Sequence, residues 1–141
     1  MAGSGISSLI SKIHASSSSF LKSELQSRGL PDMVSSHGNI LFQLSQAGTL
    51  NMKELSERIH RDKSTTTALV NKLEAAGFVA RAKDSSDSRI THISLTETGR
   101  NYNETLSAIS ATLNERCAQG LSPAEQETLF ELLTRISGNF N

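Results

Sequence analysis

The chain has 141 residues, enough for one domain with a hydrophobic core. Apolar residues make up 36% and aromatics 4%, with no tryptophan, so every apolar stripe is needed and helix pairing within or between chains is expected. One thiol, Cys117, cannot make an intrachain disulfide, no apolar run is long enough to span a membrane, and the first residues lack the blocks of a secretory signal. Formal net charge is zero, but residues 53–100 carry nine Lys/Arg against seven Asp/Glu, while residues 101–141 carry two against five. A mildly basic middle followed by an acidic end permits a local anion-facing patch, and the expected compartment is the cytoplasm.

In chain order, Ile6, Leu9, Ile10, Ile13, Phe20, Leu21 and Leu25 recur at helical spacing. Ser16–Ser19 interrupts the stripe and would suit a tether, but the apolar residues resume in phase, so one helix over 6–27 is favoured. Gly29 and Pro31 end it. A second helix is expected at about 35–47, with Ile40, Leu41 and Leu44 inward, a cap at Ser35 or Ser36, and Gly48 as its stop. Thr49–Leu50 is no more than a strand stub. Asn51 and Glu54 form a capping box for a third helix at 52–60, with Met52, Leu55 and Ile59 on one face.

Arg61 and Asp62 leave almost no connection before a fourth helix at 63–76, which Gly77 closes. Two short helices so tightly joined read as a helix-turn-helix. Residues 78–83 and 89–95 alternate as strands around the polar loop Asp84–Ser88, a hairpin with a long tip. Thr96 caps a fifth helix at 97–118, with Tyr102, Leu106, Ile109 and Leu113 in one stripe, and Gly120 ends it. Ser122, Pro123 and Glu125 start a last helix bearing Leu129, Leu132, Leu133, Ile136 and Phe140. No internal repeat is present.

The expected fold is mainly α with a small β-hairpin wing, a winged helix-turn-helix flanked by terminal helices. On a helical wheel, Leu69, Leu73 and Ala76 share one side and are expected in the core. Ser64, Thr67 and Asn71 fall opposite, beside Ala68, in a run that begins Ser64, Thr65. Short polar side chains let a helix approach a major groove closely, and an asparagine amide can pair with adenine. Lys63 and Lys72 flank that face and suit phosphates. In the hairpin, Arg81 and Lys83 share a sheet face, and Arg89 at the tip suits a narrow minor groove, held by Asp87 two residues before it. Taken singly, the helix face also reads as a solvated surface and the hairpin as an ordinary one with a weak ion pair.

The stretch from Leu55 to Gly99 resembles the MarR family of transcriptional regulators. The resemblance rests on Glu54-Leu55-Ser56, then Asp62-Lys63-Ser64-Thr65-Thr66-Thr67 into Leu69-Val70-Asn71-Lys72-Leu73-Glu74. Gly77-Phe78-Val79, Arg81, the Asp87-x-Arg89 wing, Leu95-Thr96 and Gly99 follow. The outer helices also fit. The resemblance implies a homodimer joined by its N- and C-terminal segments, 1–34 and 101–141, with a DNA-binding domain at 35–100. Two recognition helices would enter successive major grooves of a pseudo-palindromic operator, and Arg89 would be the minor-groove residue of the wing. It also implies a repressor released by a small aromatic or phenolic effector. Many members carry a basic residue where this chain has Ala68, which shifts the expected reading toward Arg89, Lys83 and DNA shape.

His37 lies near where the family places its small-molecule pocket and is a lining candidate, although a capped surface histidine is the commoner outcome. His14, His37, His60 and His92 are scattered without metal-ligand spacing, and neither metal nor cofactor is expected. Cys117 is near the end of the fifth helix, whereas the peroxide-sensing relatives carry their reactive cysteine near the first, so that role is not expected here. No carboxylate pair, Ser/His/Asp grouping or phosphate-cradling glycine loop suggests an enzyme. The competing reading is a winged-helix protein-interaction module without specific DNA binding, supported by zero net charge and Ala68.

Overall fold

The computed structural model describes residues 5–32 and 35–141. Its elements in chain order are α1 (Ile6–Ser27), α2 (Ser35–Ala47), β1 (Thr49–Asn51), α3 (Met52–Ile59), α4 (Lys63–Ala75), β2 (Val79–Lys83), β3 (Thr91–Leu95), α5 (Glu97–Ala118) and α6 (Pro123–Gly138). The chain forms two compact units, Lys22–Ala108 and Met1–Leu21 with Ile109–Asn141. Helices α1 and α5 each contribute to both.

The serine run does not interrupt α1, because the apolar residues on either side stay in helical phase. The helix closes where Gly29 takes a positive φ of 67° and Leu30 N–H donates to Leu25 O at 3.0 Å. Helix α2 buries His37, Ile40, Leu41 and Leu44. Its expected cap at Ser35 or Ser36 involves side chains outside the described residues. Asn51 and Glu54 make the expected capping box of α3, with Glu54 N–H donating to Asn51 Oδ1 at 2.8 Å and Asn51 N–H to Glu54 Oε1 at 3.0 Å. This helix ends one residue early, at Ile59, because His60 turns left-handed (φ 56°), a position that usually favours glycine. The turn lets Arg61 N–H donate to Ser56 O at 3.1 Å and starts α4 three residues later.

The sheet is antiparallel in the order β1-β3-β2, with Leu50 opposite Ile93, Val79 opposite Leu95 and Arg81 opposite Ile93. Strand alternation puts Val79, Arg81 and Lys83 on the face that carries the buried Ile93 and Leu95. The strands are shorter than expected. Phe78 is still turning out of α4, its N–H donating to Leu73 O at 2.9 Å. Arg89 and Ile90 belong to the loop, with Ile90 N–H donating to Asp87 O at 3.0 Å.

Thr96 caps α5 as expected, accepting from Gly99 N–H at 3.0 Å while donating to Gly77 O at 2.6 Å. The start of α5 is thereby pinned to the end of α4. Gly99 is required there, since a Cβ would collide with Phe78 O. One turn on, Tyr102 stacks on Phe78 with ring centroids 4.6 Å apart, and its hydroxyl donates to Pro31 O at 2.7 Å.

In the other unit, Ser122 and Glu125 form the expected capping box of α6, with Pro123 in its first turn. Arg116 lies over the Phe20 ring, 5.3 Å from the centroid. Helix α6 buries no residue and ends at Gly138, before Phe140. Ile6, Leu9, Ile10 and Ile13 of α1 and Leu129, Phe130, Leu132 and Leu133 of α6 are exposed, as is Phe140. No helix among the described residues is long and apolar enough to cross a membrane.

Candidate nucleic-acid interface

Helix α4 carries the expected groove-facing residues, and its caps and core contacts fix how it is rotated. Asp62 is its N-cap, accepting from Thr65 N–H at 3.3 Å. Hydrogen bonds from Thr65 hold the Asp62 carboxyl below the usual carboxylate range. Thr66, Val70 and Leu73, at i, i+4 and i+7, are buried. This corrects the wheel read from the sequence, because Leu69 is only half-buried and Ala76 is exposed. A threonine can take the core position because its hydroxyl donates to Asp62 O at 2.8 Å, leaving no unpaired polar group inside.

With that side inward, Ser64, Ala68 and Asn71 stand exposed on the opposite side. Thr67 is half-buried at its edge, and its hydroxyl donates back to Lys63 O at 2.8 Å. Lys63, Thr65 and Lys72 are exposed on the flanks. The result is a ridge of short polar side chains with ammonium groups beside it, which suits close approach to an anionic groove.

The wing loop is shaped by two aspartates. Asp84 Oδ2 accepts from the backbone N–H groups of Ser86 and Asp87, each at 2.9 Å, and its Oδ1 lies 2.8 Å from His92 Nε2. The His92 contact, then the backbone donors, hold its carboxyl below the ordinary range. Asp87 grips Arg89 in a fork, with Nε and Nη2 each 3.0 Å from a different carboxylate oxygen. Asp87 is accordingly pushed down and Arg89 up. The Arg89 side chain remains 89% exposed, so the fork aims the guanidinium without covering it. Lys83 is exposed at the end of β2.

Arg81 is placed differently. Its side chain is 28% exposed, with Nε 3.5 Å from Glu74 Oε1, and Nη2 donates to Asn71 Oδ1. It spans from the sheet to α4 instead of standing free beside Lys83. His37 also departs from expectation. It is 3% exposed and neither ring nitrogen has a hydrogen-bond partner, so it is a buried histidine and not a capped surface one. Burial, then the charge of Lys72, lowers its pKa.

The MarR family model matches residues 35–91. The transcriptional regulator SarZ of Staphylococcus haemolyticus is 35% identical over 103 residues, which span 72% of this chain and 69% of that protein. The chain belongs to the MarR family. Among solved structures, a mutant of Escherichia coli MarR complexed with operator DNA matches with a TM-score of 0.75 at 21% identity, covering 93% of this chain and 92% of that one. Bordetella bronchiseptica BpsR, whose DNA binding is regulated by 6-hydroxynicotinic acid, matches with a TM-score of 0.74 at 19% identity, covering 94% and 92%. The protein is thus a MarR-family transcriptional regulator with a winged-helix fold.

Sequence reasoning missed three features of this surface. Asp84 and His92 form a brace inside the wing, eight residues apart, and only the strand register brings them together. Glu74 pairs with Arg81, a contact that exists only because β2 packs beside α4. An open depression at the helix-turn-helix joint is bounded by Lys53, Ser56, Glu57, His60, Arg61 and Lys63, to which the turn at His60 contributes.

Proposed function

We propose that this protein is a homodimeric, sequence-specific double-stranded DNA-binding repressor, released from a pseudo-palindromic operator by a small aromatic or phenolic effector. It works in the cytoplasm and acts by binding, without catalysis. Residues 35–100 bind DNA, and the segments 1–34 and 101–141 join the protomers. Ser64, Thr65, Thr67, Ala68 and Asn71 face the major groove, Lys63, Lys72 and Lys83 meet phosphates, and Arg89 enters the minor groove under the control of Asp87.

The observation that carries this reading is the pairing of an exposed short-chain ridge on α4 with a guanidinium held out at the wing tip by a bidentate carboxylate. The exposed apolar side chains of α1 and α6 support the dimer, since surfaces of this kind are normally covered. His37 lines the effector site in this reading, because two buried ring nitrogens without partners can donate to or accept from a polar ligand.

A gel-shift with duplex from upstream of the protein's own gene tests the reading. Specific retardation that weakens steeply with salt is expected. Arg89→Ala removes a minor-groove contact twice per dimer and should cost at least roughly thirtyfold in affinity. Binding indifferent to sequence and to Arg89→Ala would instead favour an interaction module without specific DNA binding.

A further inference from the structure

We infer that Arg81 is a positioning residue that turns the donor half of the Asn71 amide outward, so that this position favours a hydrogen-bond acceptor edge, guanine or thymine, over adenine. The inference rests on the DNA-binding reading above and adds a specificity to it.

The geometry begins on β2. Alternation from the buried Val79 places Arg81 on the same sheet face, opposite Ile93, and its side chain crosses to α4. There it meets two side chains three residues apart on one side of the helix, Asn71 and Glu74. The carboxylate of Glu74 lies 3.5 Å from Nε, an ion pair without a hydrogen bond on the same side of the guanidinium. Arg81 Nη2 donates to Asn71 Oδ1. A guanidinium has five donors and no acceptor, so the part of the amide that faces it must be the oxygen. The Asn71 Nδ2 group is then turned away from Arg81, on an exposed residue of the outward ridge.

An unanchored asparagine can present both halves of its amide, and its bidentate pairing with adenine uses them together: the oxygen accepts from N6 while the nitrogen donates to N7. Oδ1 keeps a second lone pair, but the Arg81 contact holds the oxygen toward β2, so the Nδ2 donors are what the ridge presents to the groove. Their matching partners are O6 and N7 of guanine or O4 of thymine. The N4 amino group of cytosine offers only a donor and meets another donor. Adenine loses half of its pairing and gains an unpaired N6 donor. Discrimination on the order of tenfold or more per half-site is expected.

The test is selection from a duplex library randomised across the retarded fragment, for wild type and variants. Wild type should show one position per half-site enriched in guanine or thymine, and Asn71→Ala should flatten that position alone. Arg81→Met frees the amide and should shift the position toward adenine, while Arg81→Lys, which can still donate to Oδ1, keeps the acceptor preference. Asn71→Asp is an exposed change that retains the Arg81 contact but replaces the donors with oxygen. It should invert the preference toward cytosine or adenine, and it keeps the test decisive if Arg81→Met folds poorly.

Selection of adenine by wild type would overturn the inference. So would an Arg81→Met profile that weakens at every position equally, as a purely structural role predicts. An Asn71→Asp profile unchanged from wild type has the same force. If Arg89→Ala abolishes specific binding while Asn71 variants change no base preference, DNA binding stands and this inference alone falls. If wild type selects no sequence, both fall.

Discussion

Helix α6 gives the most quantitative prediction, because it buries nothing within its own chain. Leu133 is 44% exposed and Phe130 is 73% exposed. Full burial of such a side chain stabilises by about 1.5–3 kcal/mol, so the uncovered part of Leu133 represents about 1 kcal/mol per protomer. A two-fold interface counts every residue twice, giving about 2 kcal/mol per dimer, or roughly thirtyfold in dissociation constant, for Leu133→Ala. Leu133→Glu should cost more, because a carboxylate would be desolvated twice without a partner. Light scattering on a sizing column, run across the micromolar range, reads this directly. Wild type should elute as a dimer, Leu133→Ala should dissociate on dilution, and Leu133→Glu should be a monomer. Lys53→Glu, an exposed change in the other unit, should leave association unchanged. A monomeric wild type, or a Leu133→Glu dimer as stable as wild type, would refute the reasoning.

Three further outcomes are expected, each read by urea unfolding at one fixed protein concentration. Gly99→Ala drives a Cβ against Phe78 O and should lose about 3 kcal/mol or more, whereas a loss below about 1 would contradict the packing described. Thr66→Ala removes a buried methyl and a paired hydroxyl and should cost about 1–2 kcal/mol, while Ser64→Ala on the outer face should stay within about 0.5. Equal costs at the two positions would mean that the rotation of α4 is wrong. The lowered pKa of His37 makes stability depend on pH. Its stabilising effect is complete above the ordinary value of 6.5 and is lost as pH falls below it, because the unfolded chain protonates first. Below the depressed native value the loss levels off. The difference in unfolding free energy between wild type and His37→Phe should therefore narrow or reverse in favour of the variant on acidification, by at most about 1.4 kcal/mol per pH unit. A pH-independent difference would remove the buried neutral imidazole.

What the sequence made legible was local. The boxes at Asn51/Glu54 and Ser122/Glu125, the cap at Thr96 and the stop at Gly77 each depend on residues within one turn of one another, and each formed as expected. The serine run in α1 was decided by the phase of its apolar neighbours, which is also a local signal. The outward placement of Ser64, Ala68 and Asn71 survived the correction of the wheel, because a short rotation of α4 exchanges Ala76 for Thr66 without moving the opposite face inward. What stayed hidden were polar side chains whose surroundings come from elsewhere in the chain. Thr66 looks like part of a solvated run until its hydroxyl is paired with Asp62 O. Arg81 looks like a free cation until strand register carries it to Asn71 and Glu74. His37 looks like a helix-start histidine, and only the packed fold strips its ring nitrogens of partners.

Hydroxyl-radical footprinting on the retarded promoter fragment bears most directly on the central proposal, a paired molecule that sets two α4 ridges into one face of a duplex. The expected pattern is two protected windows about ten base pairs apart, related by a dyad, with flanking minor-groove protection that disappears in Arg89→Ala. A single window, or protection spread evenly along the fragment and indifferent to Arg89, would contradict it.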